Sequence, residues 1–208
     1  MPPRYGELLF IAALGLLQPF VEMSAGKRIA AYYNLLAALL VLSYVLVCLC
    51  RYPGILRVWG FRLDTLLPSL RAHLSFALPA GALIYAYGWQ KGSMPLPSSF
   101  WYLLALYPLW GLAQQFALQN MVAQNLTKLV PHLGLRALIC AAAFGSVHLP
   151  SLELAALASC AGFFFTYIYH SYPNLLAVGF AHGIVGVLAF YVVLGNDQWE
   201  VLMRYLGA

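Results

Sequence analysis

The chain has 208 residues, of which 63% are hydrophobic and 8% are charged, and its formal net charge is +5. Soluble globular domains carry roughly 25% charged residues, so this composition excludes a soluble protein and predicts an integral membrane protein. The basic residues lie at the ends of apolar segments, where they are typical of topology control and contact with anionic membrane lipid. They therefore predict no nucleic-acid partner. We expect the protein in the bacterial inner (plasma) membrane.

The apolar residues come in long blocks that do not alternate as barrel strands do, which favours helices as the spanning structure. Since a spanning helix needs about 20 mostly apolar residues, the chain predicts an all-α, polytopic membrane helix bundle with about seven transmembrane helices. We expect residues 1–208 to form a single transmembrane domain. The predicted spans are, in chain order, 6–23, 30–50, 70–89, 99–125, 132–149, 151–170 and 174–195.

The first apolar run resembles a signal peptide because it ends in small residues, Ser24 and Ala25. Glu7 and Glu22 flank the run, however, and further apolar segments follow at once. We therefore expect a first transmembrane helix that is retained.

Two links between predicted spans have distinctive compositions. The link 51–71 mixes apolar residues with charged ones and predicts a segment that lies along the interface, with Trp59 at headgroup level. Between the fifth and sixth spans, Pro150 predicts a tight turn, because proline cannot donate to a helix and disfavours helix in Leu149.

Polar side chains interrupt three of the apolar segments: Gln114, Gln115 and Gln119, then His148, then His182. The bilayer interior penalises such groups, so they usually face the inside of a bundle and mark a site. Glutamines alone are typical of hydrogen bonding between membrane helices, and an amide cannot act as a general base near neutral pH. Histidine is the side chain best suited to proton transfer at that pH.

The same side chains make a poor metal site. Zinc normally takes three or four His, Cys or carboxylate ligands, whereas here two histidines lie among neutral amides. The four cysteines, Cys48, Cys50, Cys140 and Cys160, lie in apolar segments without the spacing of metal ligands. We predict no bound metal and no cofactor.

The order of these residues resembles the CAAX-protease and bacteriocin-processing (CPBP, or Abi) family of intramembrane endopeptidases. That family carries Glu-Glu-xxx-Arg, then Phe-xxx-His, then His-xxx-Asn or a variant. The second motif is intact here as Phe144-xxx-His148, the third is partial as His182-xxx-Gly186, and the first is replaced by Gln114-Gln115-xxx-Gln119. The stretch 59–64 is similar to the connector before the family's core, and the resemblance covers about 55–195.

The resemblance implies the role of each motif residue. Gln114 stands at the position of the catalytic base and Gln115 at that of the second acid. His148 is expected to activate a water, and His182 to stabilise the oxyanion. The remaining motif positions, which we assign to binding, are Gln119 in place of the arginine, Phe144, and Gly186, which has no side chain to offer.

The missing acids leave three interpretations open. The chain is a natural variant that cleaves with His148 acting alone as base, a pseudo-enzyme that still binds a membrane peptide, or an engineered Glu-to-Gln form. Glu153, just beyond the Pro150 turn, is a substitute acid or, more simply, a charge at a helix N-terminus.

The implied partners are membrane lipid and a membrane-associated peptide or protein, either as a substrate or, for a non-catalytic regulatory protein, as a ligand. A prenylated tail, a leader peptide and a sorting signal are all open as substrates. A transporter or channel is the third class, but no inverted repeat is visible and the polar residues gather in one depth band.

A common site requires the Cα atoms of Gln114, His148 and His182 to lie within about 15 Å of one another, facing one cavity. His148 lies nearer the end of its predicted span than the other two. We therefore expect the Pro150 turn to be sunk in the membrane, or its helix pair to be tilted.

Overall fold

A computed structural model describes residues 5–93, 95–195, 197, 199, 200 and 203, with the backbone alone at Lys27. Helices account for most of them, and no strand occurs among these residues. The helices are α1 Tyr5–Arg51, α2 Ile55–Val58, α3 Leu66–Gln90, α4 Ser99–Gln115, a π-helix Phe116–Ala123, α5 Gln124–Leu126, α6 Leu133–Ser146, α7 Leu152–Ser171 and α8 Leu175–Val193. The predicted all-α class is confirmed.

The segments that are long and apolar enough to cross a membrane number four within the described residues: Tyr5–Gly26, Arg28–Arg51, Leu152–Ser171 and Leu175–Val193. Many large apolar side chains, among them Leu9, Leu83 and Trp101, are exposed on the protein surface. Exposed apolar patches of this extent are typical of a surface covered by lipid. The chain is an integral membrane protein, and the total of seven spans stays a prediction.

Three predicted segments differ in detail from the structure. The first two predicted spans are halves of α1, separated at Gly26, whose φ of 79° favours glycine. The predicted span 99–125 changes from α-helix to π-helix after Gln115. In the link 51–71, Trp59 is buried within the protein instead of facing outward.

The turn predicted at Pro150 agrees with the structure, in which residues 147–151 connect α6 and α7.

The chain divides into two compact units, and the single-domain organisation stays a prediction. Unit 1 comprises Met1–Arg62 and Ala117–Tyr167. Its apolar core consists of Leu118, Ala123, Leu126, Cys140, Phe144 and Ala158. A polar cluster also holds this unit together, because Glu7 of α1 accepts hydrogen bonds from the Tyr44 hydroxyl and, at 3.0 Å, from Nδ2 of Asn125.

Unit 2 comprises Leu63–Phe116 and Ile168–Ala208, with α8 packed on both α3 and α4. Glycines let α4 and α8 approach closely. A Cβ atom on Gly183 would lie 2.7 Å from the Cα atom of Pro108, and one on Gly179 would lie 2.9 Å from that of Leu112. On the other helix, a Cβ atom on Gly111 would lie 2.6 Å from the Gly179 carbonyl oxygen. Small residues at four-residue spacing are the usual means by which membrane helices bring their backbones together.

Replacing Gly183 with alanine should therefore destabilise unit 2. The added methyl group meets backbone atoms that cannot rotate away, and overpacking of this kind costs about 1–3 kcal/mol. The matched control is Gly6→Ala in α1, where an added Cβ atom has no heavy atom within 4 Å. We expect Gly183→Ala, and not Gly6→Ala, to lower the melting temperature of the detergent-solubilised protein. Equal melting temperatures for the two variants would contradict this packing.

A carboxylate fastens the segment after α8 to the start of α4. Ser99 Oγ donates to Oδ2 of Asp197 at 2.5 Å, and the Tyr191 hydroxyl donates to Oδ1 at 2.9 Å. The backbone N–H groups of Trp199 and Glu200 also donate to Oδ1. Burial raises the pKa of Asp197, but these four donors outweigh it and hold the pKa below its usual value.

The lowered pKa of Asp197 predicts a pH-dependent contribution to stability. A carboxyl with a lower pKa in the folded state stabilises the fold above its unfolded pKa, about 3.9, and loses that contribution as the pH falls through the folded value. Asp197→Asn should lower the melting temperature at neutral pH and flatten its decline in acid. Parallel pH profiles for the variant and the parent would show that the carboxylate has no such role.

Candidate functional site

The first motif lies where the fourth predicted span changes its helical geometry. Gln114 and Gln115 end α4, and Gln119 falls inside the π-helix Phe116–Ala123. Pro108, six residues before Gln114, already lacks a backbone donor inside α4. A π-helical segment inside an α-helix is rare and frequently occurs at functional sites.

Gln115 and His182 form a buried pair within unit 2. Nε2 of Gln115 lies 3.0 Å from Nδ1 of His182, and both side chains are almost fully buried. An amide nitrogen only donates, so Nδ1 is the acceptor and a neutral imidazole then carries its proton on Nε2. His182 is therefore prepared as a hydrogen-bond donor through Nε2, which is the property that an oxyanion-stabilising residue needs.

Close packing of α4 against α8 sets this distance. A Cβ atom on Gly111, one turn before Gln115, would lie 3.0 Å from Cδ2 of the His182 ring. One turn after His182, a Cβ atom on Gly186 would lie 3.5 Å from Nε2 of the same ring. The two glycines thus leave the space that the imidazole occupies.

His148 and Phe144 form the second motif within unit 1. His148 lies in the turn just after α6 and is partly buried, with its Nδ1 atom 2.7 Å from the carbonyl oxygen of Phe144. The two rings meet edge to face, with centroids 4.9 Å apart. A carbonyl oxygen only accepts, so Nδ1 carries the proton and Nε2 of the neutral ring holds a lone pair. His148 is therefore prepared as a proton acceptor, the reverse of His182.

Tight packing of α7 against α6 holds Phe144 in place. A Cβ atom on Gly162 of α7 would lie 3.1 Å from the Cβ atom of Phe144, and one on Gly145 would lie 2.8 Å from the carbonyl oxygen of Ala155. These contacts with α7 hold the backbone at Phe144, whose carbonyl group accepts the His148 hydrogen bond.

The two other glutamines of the first motif have different surroundings. Gln119 is buried in unit 1, where its Nε2 atom donates to Oγ1 of Thr166 at 3.3 Å. Gln114, in unit 2, is only partly buried, and its side chain makes no hydrogen bond with any residue that the structure describes. Gln115, the predicted second acid, contacts the motif histidine His182.

The predicted site residues divide between the units. Gln114, Gln115, His182 and Gly186 belong to unit 2, whereas Gln119, Phe144 and His148 belong to unit 1. The convergence of all three motifs on one cavity stays a prediction. Glu153, the proposed substitute acid, is exposed in the first turn of α7, where a negative charge favours the helix terminus.

Sequence reasoning missed several partners of the motif residues. Thr166 was not singled out, although a threonine in an apolar helix signals hydrogen bonding between helices. Asn120, beside Gln119, donates to the backbone carbonyl of Trp59 at 3.2 Å and so ties the link 51–71 to the π-helix. Within the described ranges, no three His, Cys, Asp or Glu side chains are grouped as metal ligands, and the absence of zinc stays a prediction.

Part of the chain matches the model of a known protein family. Residues 95–188 match the model of a family described as type II CAAX prenyl endopeptidase Rce1-like. The match confirms the predicted resemblance to the CAAX-protease family over this part of the chain. The Rce1-like region contains all three motifs, 114–119, 144–148 and 182–186, while the connector-like stretch 59–64 lies before it. No curated protein and no solved structure matches the chain.

The opposite hydrogen bonding of the two histidines predicts opposite tautomers. In protein with ¹⁵N-labelled histidine, at a pH well above the ordinary histidine pKa of about 6.5, we expect His148 to be protonated on Nδ1 and His182 on Nε2. Gln115→Leu removes the donor to His182 and should change that ring's nitrogen shifts alone. Identical tautomers in both rings would contradict the assignment.

Proposed function

We propose that the chain is a CAAX-protease-like intramembrane endopeptidase that cleaves a membrane-associated peptide with reduced efficiency. The family supports the reaction class. The observation that carries the residue roles is the opposite preparation of the two motif histidines, since His148 is held as a proton acceptor and His182 as a donor. Hydrolysis of a peptide bond needs one group of each kind.

In this proposal, Nε2 of His148 takes a proton from a water molecule, whose oxygen attacks the peptide carbonyl carbon. The carbonyl oxygen becomes an oxyanion and accepts a hydrogen bond from Nε2–H of His182. The proton held by His148 then passes to the leaving amine, so that the C–N bond breaks and the ring returns to its starting state. Gln114 stands where the resemblance places the acidic base, so loss of that base is expected to cost about 10²–10⁴ in rate.

Gln115 has a separate consequence for His182. A carboxylate at position 115 would only accept, and it would require a proton on Nδ1 of His182. The imidazole would then donate through Nε2 only in its doubly protonated, cationic form. The glutamine instead lets a neutral ring donate through Nε2, whereas the cationic ring that a carboxylate would favour is the stronger donor to an oxyanion.

The double variant Gln114→Glu, Gln115→Glu should raise proteolysis by about 10²–10⁴ because it returns a carboxylate to the base position. The assay uses protein in lipid nanodiscs and a panel of prenylated Cys-aliphatic-aliphatic-X peptides, leader peptides and sorting signals. Gln124→Glu is the matched control, since Gln124 is exposed and lies ten residues after Gln114 along the chain. Adding His148→Ala to the double variant should abolish the gain.

Three outcomes would contradict parts of this proposal. Equal rates for the native chain and the double variant would locate the base elsewhere, and Glu153→Gln would be the next test. A gain that survives His148→Ala would remove His148 from the mechanism. Failure of every form to cleave any peptide would reject the enzyme.

A non-catalytic, peptide-binding protein is the second candidate function. The observation in its favour is that the buried Gln115–His182 pair is satisfied without any charge, as in a purely structural interhelical contact. Such a protein would crosslink to a photoreactive membrane peptide without releasing a product, whereas the proposed enzyme would release one.

A further inference from the structure

The surroundings of Gly186 contain a second donor beside His182. A Cβ atom on Gly186 would lie 2.7 Å from Cε1 of Tyr107 and 3.5 Å from Nε2 of His182. Both side chains therefore reach the same point above the glycine backbone. On the Tyr107 ring, Cε1 lies nearer to this point than Cδ1, which is 3.5 Å away. The ring edge next to the hydroxyl-bearing carbon thus lies against Gly186, the same position that Nε2 of His182 approaches.

Tyr107 is held in this position by packing. It is partly buried against the core of Phe100, Leu103, Val187 and Tyr191, and its ring contacts Phe190 with centroids 6.0 Å apart. Among the residues that the structure describes, the Tyr107 hydroxyl takes part in no hydrogen bond. A phenol whose ring is held by packing, and whose O–H group can still donate a hydrogen bond to a ligand, is a preorganised donor.

Gly186 is what allows this arrangement. Any side chain at position 186 would meet the Tyr107 ring at less than the closest distance that Cβ atoms adopt. The glycine and the tyrosine therefore complement each other. Position 186 has no polar side chain, and the aromatic ring of Tyr107 in α4, which carries a hydroxyl group, fills the space beside it.

We propose that the Tyr107 hydroxyl is the second hydrogen-bond donor to the substrate's oxyanion, beside Nε2–H of His182. The inference rests on the proposed endopeptidase function. Two neutral donors aimed at one oxygen form an oxyanion hole, which stabilises the charge that develops as water attacks the carbonyl carbon. No bond of Tyr107 breaks or forms, and its proton stays on the phenol oxygen throughout.

Tyr107→Phe is the primary test, because it removes the hydroxyl and keeps the ring that packs on Gly186. Loss of one oxyanion donor costs about 10²–10³ in kcat, while KM and the melting temperature should stay unchanged. The comparison is made in the native chain and in Gln114→Glu, Gln115→Glu. Tyr102→Phe is the matched control, since this exposed tyrosine of the same helix contacts Trp199 instead.

A second readout separates this inference from the proposed function. The probe is a farnesylated Cys-aliphatic-aliphatic-X peptide whose first peptide bond is replaced by a phosphinate, which mimics the tetrahedral oxyanion without being cleaved. Tyr107→Phe should weaken its binding at least tenfold, with no change for Tyr102→Phe. If no form cleaves but the phosphinate binding still depends on Tyr107, the donor pair stands and the enzyme is rejected.

A reciprocal exchange tests the shared volume. Tyr107→Ala should lose activity and phosphinate affinity, and adding Gly186→Asn should restore part of both, because the smaller residue makes room for an amide donor at position 186. Equal phosphinate binding by the parent and Tyr107→Phe, or no binding by any form, would overturn the assignment of Tyr107 whether or not the chain cleaves peptides.

Discussion

The close approach of α4 and α8 is the constraint on which the rest of unit 2 depends. Glycines on both helices remove the side chains that would separate the backbones, so Gln115 and His182 meet at hydrogen-bond distance in an apolar interior. A polar pair in such surroundings is stable only when each group finds its partner, because an unsatisfied donor or acceptor cannot turn to water. The glycines are therefore needed for the hydrogen bond as well as for the packing, because a side chain that moved α4 away from α8 would also separate Gln115 from His182.

In unit 1, a motif histidine finds its hydrogen-bond partner in a different way. His148 lies in a turn and not inside a helix, and its partner is a backbone carbonyl four residues earlier. Carbonyl groups in the last turn of a helix commonly lack an intrahelical donor and can accept from a side chain. The Phe-xxx-His spacing works because the turn after α6 returns the imidazole to the carbonyl of Phe144, while the aromatic ring of Phe144 limits the ring's rotation.

The sequence predicted the helical class and the integral membrane character of the chain, because both depend on hydropathy. It did not predict that Gln115 rather than Gln114 contacts His182. That distinction depends on how α4 packs against α8, which the local preferences of the sequence do not reveal. Tyr107 was missed for a similar reason, since its role emerges only from the space that Gly186 leaves on another helix. Trp59 was expected at the interface because tryptophan is common there. Its side chain is instead buried, and its backbone carbonyl accepts a hydrogen bond from Asn120.

The carboxylate of Glu7 has a consequence for the order in which the chain assembles. Two of its hydrogen-bond partners, Tyr44 and Asn125, lie 37 and 118 residues further along the chain. Glu7 lies in the first turn of α1, where a carboxylate can stay near the membrane surface until these partners are synthesised. The N-terminal end of α1 can therefore complete its hydrogen bonds only after the segment that carries Asn125 has been made. The earliest segment to be made is, in this respect, among the last to complete its contacts.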